Sequence, residues 1–223
     1  MKLFVFDVDG TLVDSQNLIV EAQNRAFASL GLPAPDRERA LSVVGLSLVE
    51  AFDSLTDGEG PSDLLAQAYK EAWTQLRAQP GFHDPLYPGA HELLSELADC
   101  EDCMLGLATG KSRAGVMRLF DRHGWHEVFD TVQTADDAPS KPAPDMFFRA
   151  LRETGVSPRN ACMIGDTTFD MAMAHAAGAH AIGVGWGYHR HDKLIKAGAS
   201  RIVPDFGALR AALKAFGPSL KHA

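Results

Sequence analysis

The stretch Leu3-Phe4-Val5-Phe6-Asp7-Val8-Asp9-Gly10-Thr11 decides the fold. Its first four residues are apolar without alternation, and they stop at an acidic cluster. A strand exposed on one face alternates apolar and polar residues, whereas a strand covered on both faces reads as a continuous apolar run. The same pattern recurs at Met104-Leu105-Gly106-Leu107-Ala108 before Thr109-Gly110, at Ala161-Cys162-Met163-Ile164 before Gly165-Asp166, at Ala179 to Val184 before Gly185, and at Arg201-Ile202-Val203 before Pro204-Asp205. Phe129-Asp130-Thr131-Val132 is a weaker candidate. Helical spacing separates these runs. Leu93, Leu94 and Leu97 share a face in 90–98, Val116, Leu119 and Phe120 in 112–123, and Met146, Phe147, Ala150 and Leu151 in 144–154. Further helices are expected at 169–177, ending at Gly178 as a C′ glycine, and at 206–216. Strands alternating with helices imply right-handed crossovers and a doubly wound parallel sheet, an α/β fold of Rossmann type.

One region breaks the alternation. Between Ser15 and Asp84 only helical patterns occur, at 17–30, 46–55 and 62–78, punctuated by Pro33, Pro35, Gly58, Gly60 and Pro61. This reads as an all-helical cap inserted after the first strand. The expected division is a core of residues 1–14 and 85–223 and a cap of residues 15–84, joined by chains near Asp14-Ser15 and between Gly81 and Pro88.

The chain has 223 residues, 46% of them hydrophobic and 22% charged, which is ordinary globular composition. Lys plus Arg number 21 against 29 Asp plus Glu, a formal charge of -8. Such a balance repels a phosphate backbone, so no nucleic-acid partner is expected. A small anionic substrate stays open, because a local site can oppose the global sign. No apolar run approaches the ~20 residues that span a bilayer, and Leu3 to Phe6 is too short for a secretory h-region. No membrane partner is expected, and the cytoplasm is the expected compartment. Three cysteines give no disulfide framework. Cys100-Glu101-Asp102-Cys103 lacks the further ligands of a zinc site and reads as a helix-to-strand turn.

Asp7-Val8-Asp9, Thr109-Gly110 and Gly165-Asp166 all fall at the C-terminal ends of expected strands, the edge where an open parallel sheet binds ligands. Asp7 and Asp9 are two apart, which in extended chain puts them on one side. Converging carboxylates repel unless a cation sits between them, and an all-oxygen set without His or Cys suits Mg²⁺. Lys141 stands before Pro142-Ala143-Pro144, where the prolines hold the chain extended and fix where the ammonium points. Thr109 offers a hydroxyl, and the N–H groups beside Gly110 can meet phosphate oxygens. Singly, each signal is ordinary: Asp-x-Asp is equally a turn or a cap, and Lys-Pro is usually solvated surface. Together, in this order, they are the parts of a phosphoryl-transfer site.

At these residues the chain resembles the haloacid dehalogenase superfamily, in the branch whose cap follows the first strand. Phe6-Asp7-Val8-Asp9-Gly10-Thr11-Leu12-Val13-Asp14-Ser15, Ala108-Thr109-Gly110-Lys111, Lys141-Pro142-Ala143-Pro144 and Ile164-Gly165-Asp166-Thr167-Thr168-Phe169-Asp170 are similar to its four motifs. Gly185-Trp186-Gly187-Tyr188-His189 and Ala197-Gly198-Ala199 are similar to the bacterial phosphoglycolate phosphatases within it. The resemblance covers Met1 to about Phe216. It implies an aspartyl-phosphate formed on Asp7 and a general acid–base role for Asp9. It implies Mg²⁺ held by Asp7, the Asp9 main-chain carbonyl and Asp166, with Asp170 behind them. Thr109 and Gly110 would bind the phosphoryl oxygens, Lys141 would offset charge, and residues 10–14 would form the hairpin on which the cap moves. The acid at Asp9 separates the chain from the family's dehalogenases.

The implied reaction is hydrolysis of a small phosphorylated metabolite, with 2-phosphoglycolate the first candidate. A β-phosphoglucomutase-like transferase is an alternative within the family. An aspartate-phosphorylated signalling module is the alternative of another class, though such modules are shorter and carry no cap. Gly45, in Val43-Val44-Gly45-Leu46-Ser47, resembles the glycine of the family's cap specificity loop. That loop has no cation, so Arg37, Arg39, Lys111 and Arg113 are the candidates to meet a substrate anion. Lys70, the one lysine in 15–84, reads as a solvated face. Tyr188-His189-Arg190-His191 could line the site entrance, and Trp186 reads as packing. The sequence leaves monomer and homodimer equally open.

Overall fold

A computed structural model describes residues 1–82 and 84–217. Six strands form one fully parallel sheet: β1 (Lys2–Phe6), β2 (Cys103–Ala108), β3 (Thr131–Gln133), β4 (Ala161–Gly165), β5 (His180–Val184) and β6 (Arg201–Val203). Their spatial order is β3-β2-β1-β4-β5-β6. The chain winds outward from β1 through β2 to β3, then returns to the other side of β1 with β4. That reversal opens a crevice at the carboxyl ends of β1, β2 and β4, where ligands bind in such sheets.

The uninterrupted apolar run of β1 follows from its central place. Phe4 and Phe6 point to one face, into a cluster with Leu93, Leu94 and Leu97 of α5 (Ala90–Ala98) and Val116, Leu119 and Phe120 of α6 (Arg113–His123). Leu3 and Val5 point to the other, against Met146 and Phe147 of α7 (Asp145–Thr154) and Met171 and Ala174 of α8 (Thr168–Ala176). Two more helices complete the sheet's cover: α9 (His191–Lys196) and α10 (Phe206–Ala215).

Four helices lie between β1 and α5: α1 (Gln16–Ser29), α2 (Arg37–Leu41), α3 (Leu48–Leu55) and α4 (Ser62–Arg77). They carry their own apolar clusters, with Phe27, Phe52 and Leu65 in one and Ala22, Ala72 and Leu76 in another. The chains entering and leaving this segment run side by side. Asp14 N–H donates to Pro85 O at 2.8 Å and Tyr87 N–H to Leu12 O at 3.0 Å, around an antiparallel bridge between Val13 and Leu86. His83 and residues 218–223, which the expected cap and core include, lie outside the described residues.

Several expectations shift. The weak sixth strand forms two residues later than expected, because Phe129 leaves the sheet to stack on Phe120 with ring centroids 5.5 Å apart. Neither α2 nor α9 is visible as a periodic pattern, since helices of five and six residues show too few turns of apolar spacing. The segment at Lys141 is a turn with a cis Lys141–Pro142 bond, not an extended run. Ala143 N–H closes it onto Ser140 O at 3.0 Å, just before α7 begins. Cys100 lies in the turn between α5 and β2 and Cys103 opens β2, with their Sγ atoms 2.9 Å apart.

Candidate active site

β1 ends at Phe6, and the chain turns at once. Leu12 and Val13 N–H both donate to Val8 O at 2.9 Å, and Gly10 N–H donates to Val13 O at 2.9 Å. The backbone that carries Asp7 and Asp9 is thus a turn rather than extended chain, yet both residues line the same cavity. Asp7 enters the crevice and is 1% exposed. The Asp9 carboxylate swings toward the helical segment, where Ser15 Oγ donates to it and Lys111 Nζ lies 2.8 Å from Oδ1.

β4 delivers Asp166 and α8 delivers Asp170, both fully buried. Asp166 accepts from Thr11 Oγ1 and from Tyr188 N–H, each at 2.9 Å. Two glycines make room for it: a Cβ on Gly10 would sit 2.3 Å from Asp166 Oδ2, and one on Gly187 would sit 2.0 Å from Asp166 Cβ. Gly10 also has φ +81, a left-handed value that favours glycine. Asp170 closes a capping box with Thr167, accepting from its N–H at 3.0 Å and its hydroxyl at 2.7 Å. Lys141 is completely buried, 2.9 Å from Asp7 Oδ1 and 2.6 Å from Asp170 Oδ1.

The electrostatics follow from this crowding. Burial lifts the Asp7 carboxyl to about 7, with Lys141 opposing and Asp170 adding to the rise. Burial, then the charges of Asp7 and Asp170, hold Asp166 well above the usual carboxylate range. Burial disfavours the Lys141 charge, but the Asp170 and Asp7 carboxylates outweigh it and raise the ammonium above its ordinary value. Ionised together, three buried carboxylates against one ammonium would leave two negative charges unbalanced, a costly state in a dry pocket that the raised Asp7 and Asp166 values reflect.

A divalent cation would balance them. Ligand oxygens of Asp7, Asp166 and Asp170 lie within 4.8 Å of one another. Neither Asp7 oxygen accepts a well-aligned hydrogen bond, so both have lone pairs to give. Asp170 has committed one oxygen to Lys141 and the other to Thr167. The all-oxygen set fits Mg²⁺.

Thr109 follows β2 and is also buried. Gly110 lies under the loop of residues 43–47: a Cβ there would be 2.4 Å from Leu46 O and 2.7 Å from Gly45 O. Gly45 has φ +102 and faces Thr167 and Phe169. Ser47 N–H donates to Ser140 Oγ at 2.8 Å. The loop thus rests on the segments after β2 and β4 and before α7, over a cavity that Asp7, Asp9, Gly45, Thr109 and Gly110 all line.

The sequence of residues 4–184 matches the profile of the haloacid dehalogenase-like hydrolases. The chain belongs to that family. It is 36% identical over 219 residues to the probable phosphatase IndB of Dickeya dadantii, covering 95% of both chains. It is 33% identical over 193 residues to a phosphoglycolate phosphatase of Chromobacterium violaceum, covering 84% of this chain and 86% of that one. Among solved structures, a hydrolase from Pseudomonas syringae superposes with a TM-score of 0.84 at 27% identity, over 96% of this chain and 99% of that one. The four stretches that resemble the family's motifs bring Asp7, Thr109, Lys141, Asp166 and Asp170 to one crevice.

Of the four candidate cations, only Lys111 reaches the site. Arg37 bonds Gln16 and Asn17, Arg39 bonds Ser54 O and Asp57, and Arg113 bonds Val132 O and Asp137. Tyr188 belongs to the site more closely than sequence reasoning placed it: its N–H holds Asp166 and its hydroxyl lies 3.3 Å from Ser15 Oγ. The signal was its position just past β5, at the same sheet edge. His189 bridges the two parts of the chain, with Nδ1 3.0 Å from Thr168 N and Nε2 3.0 Å from Ser42 O. Trp186 packs on Phe206, as expected, and also donates to Thr11 O at 3.1 Å. No helix among the described residues is long and apolar enough to cross a membrane.

Proposed function

We propose that this chain is a Mg²⁺-dependent phosphomonoester hydrolase that works through an aspartyl-phosphate on Asp7. The observation that carries the reading is the state of Asp7: buried, ion-paired to Lys141 on one side, and with lone pairs turned to the cavity beside Thr109. The phosphatase names of the relatives support it.

In this reading an Asp7 oxygen attacks phosphorus as the bond from phosphorus to the ester oxygen breaks. Asp9 gives its proton to the departing oxygen. It then takes a proton from the water that attacks the phosphorus of the aspartyl-phosphate, releasing inorganic phosphate and restoring Asp7. Ser15 and Lys111 fix the Asp9 side chain for both transfers. Thr109 and the Gly110 N–H receive phosphoryl oxygens, and Lys141 keeps the nucleophile charged. Asp7, Asp166 and the Asp9 carbonyl would hold Mg²⁺, with Asp170 behind, and bound Mg²⁺ would neutralise phosphoryl charge. Residues 15–84 act as a cap that closes through Gly45 over the crevice and excludes water.

The named substrate of one relative makes 2-phosphoglycolate a candidate for this chain, and the cytoplasm is its proposed location, as monomer or homodimer. A screen for phosphate release from many small esters, with Mg²⁺ and with EDTA, tests the reaction class. Release that depends on Mg²⁺ and vanishes in Asp7→Asn supports it, and release that survives either change sinks it.

A further inference from the structure

We infer that the leaving group this site accepts is a ring-bearing body with oxygen acceptors at its far end, larger than a two-carbon acid. The inference rests on the hydrolase reading above and names its substrate class.

The first argument is size. The cavity between α4, α6 and the crevice is about 860 Å³, the scale of a site for a drug-sized molecule. A two-carbon acid would fill one corner and leave the rest to water, giving up the contacts that the remaining wall offers.

The second is the wall itself. Phe52, Tyr69, Trp73 and Phe82 form a ladder with successive centroids 5.8, 6.3 and 6.1 Å apart, each ring steeply inclined to the next. All four line the cavity. Trp73 stands close to the chemistry: Lys111 Nζ lies 5.5 Å from its centroid and 2.8 Å from Asp9 Oδ1. A ring placed one sugar or one short spacer away from the reacting phosphorus meets this wall, and ring-on-ring contact adds to plain area burial.

The third is where the uncommitted cations stand. Beside the reacting centre Lys141 serves Asp7 and Asp170, and Lys111 serves Asp9. A glycolate carboxylate there would have to compete with these carboxylates. Arg77 and Arg118 line the cavity on α4 and α6, and neither forms an ion pair with a described carboxylate. They are close enough that Arg118, after burial, helps to depress the Arg77 pKa, while Asp84 on the same cavity wall opposes the shift. Two guanidinium groups side by side want shared oxygen acceptors. On α6 Arg118 lies five residues beyond Arg113, about 7–8 Å along the axis from the helix start. Acceptors that reach it belong to the distal end of a long leaving group.

A nucleoside 5′-monophosphate whose base carries carbonyl oxygens has this shape, and inosine and uridine 5′-monophosphates are the probes. Their hydrolysis is compared with that of 2-phosphoglycolate, using the whole chain with Mg²⁺. The expected kcat/KM for the better nucleotide exceeds that for 2-phosphoglycolate by roughly tenfold or more. Trp73→Leu should cut that preference roughly tenfold. Arg118→Ala, a change at an exposed residue, should raise the nucleotide KM several-fold with kcat held. Binding is read apart from turnover, by calorimetry of the nucleotides on Asp7→Asn. Binding without hydrolysis of any ester would overturn the hydrolase reading and keep the ring site. Hydrolysis of small esters without nucleotide binding, or a preference unmoved by both variants, would overturn this inference and keep the hydrolase.

Discussion

Lys141→Met removes the only ammonium among three buried carboxylates, and its cost can be worked from the site. Lys141 has 0% side-chain exposure and pairs with Asp7 at 2.9 Å and Asp170 at 2.6 Å. Methionine fills most of the volume, so the packing loss is small. What remains is an acidic pocket with no internal counter-charge, and breaking a buried pair in this way costs about 3–5 kcal/mol. In a chain of this size each kcal/mol moves Tm by roughly 2–4 °C, so a fall of about 6–20 °C is expected without metal. Mg²⁺ should recover part of it, because binding to the folded form alone stabilises by mass action. Calorimetric melts of wild type and variant in EDTA and in Mg²⁺ measure both effects. A loss below about 1 kcal/mol in EDTA would refute the reasoning, since it would mean that the carboxylates do not depend on the lysine.

Asp7→Asn should remain folded by circular dichroism and lose several orders of magnitude in kcat, and a tenth of wild-type activity in clean protein would remove Asp7 as nucleophile. Calcium should inhibit in competition with Mg²⁺, because its longer, more numerous bonds let Asp7 bind through both oxygens; equal rates with either ion would contradict this. Gly10→Ala should lower both stability and turnover, since the left-handed φ and the 2.3 Å approach of its Cβ to Asp166 leave no room. A variant with wild-type kcat and Tm would show that the hairpin tolerates a side chain.

The parallel sheet was legible because Leu3 to Phe6 of β1 are buried on both faces and so read as an unbroken apolar run before Asp7. The crevice was legible because Asp7, Thr109 and Asp166 each follow such a run. Less could be read where tertiary contacts override local pattern. The turn after Phe6, in place of the extended chain that the spacing suggested, depends on backbone bonds from Leu12 and Val13 to Val8 O that no period reveals. Lys111 closes the second motif, but nothing in the sequence shows that it meets Asp9 and the Trp73 ring from α4. Nothing in the sequence singles out Arg77 and Arg118, which line one cavity from α4 and α6. Tyr188 and Gly187 act through the backbone N–H and the missing Cβ that admit Asp166, which residue type alone does not disclose.

The central claim is that Asp7 becomes phosphorylated during turnover. The measurement that meets it most directly is borohydride trapping. Enzyme turning over a good ester with Mg²⁺ is quenched with borohydride, which reduces an aspartyl-phosphate to homoserine, and the peptide spanning Leu3 to Val13 is sequenced by mass spectrometry. The account predicts homoserine at position 7, dependent on both ester and Mg²⁺. Rapid phosphate release with position 7 unmodified, or homoserine at Asp9 or Asp166 instead, would contradict it.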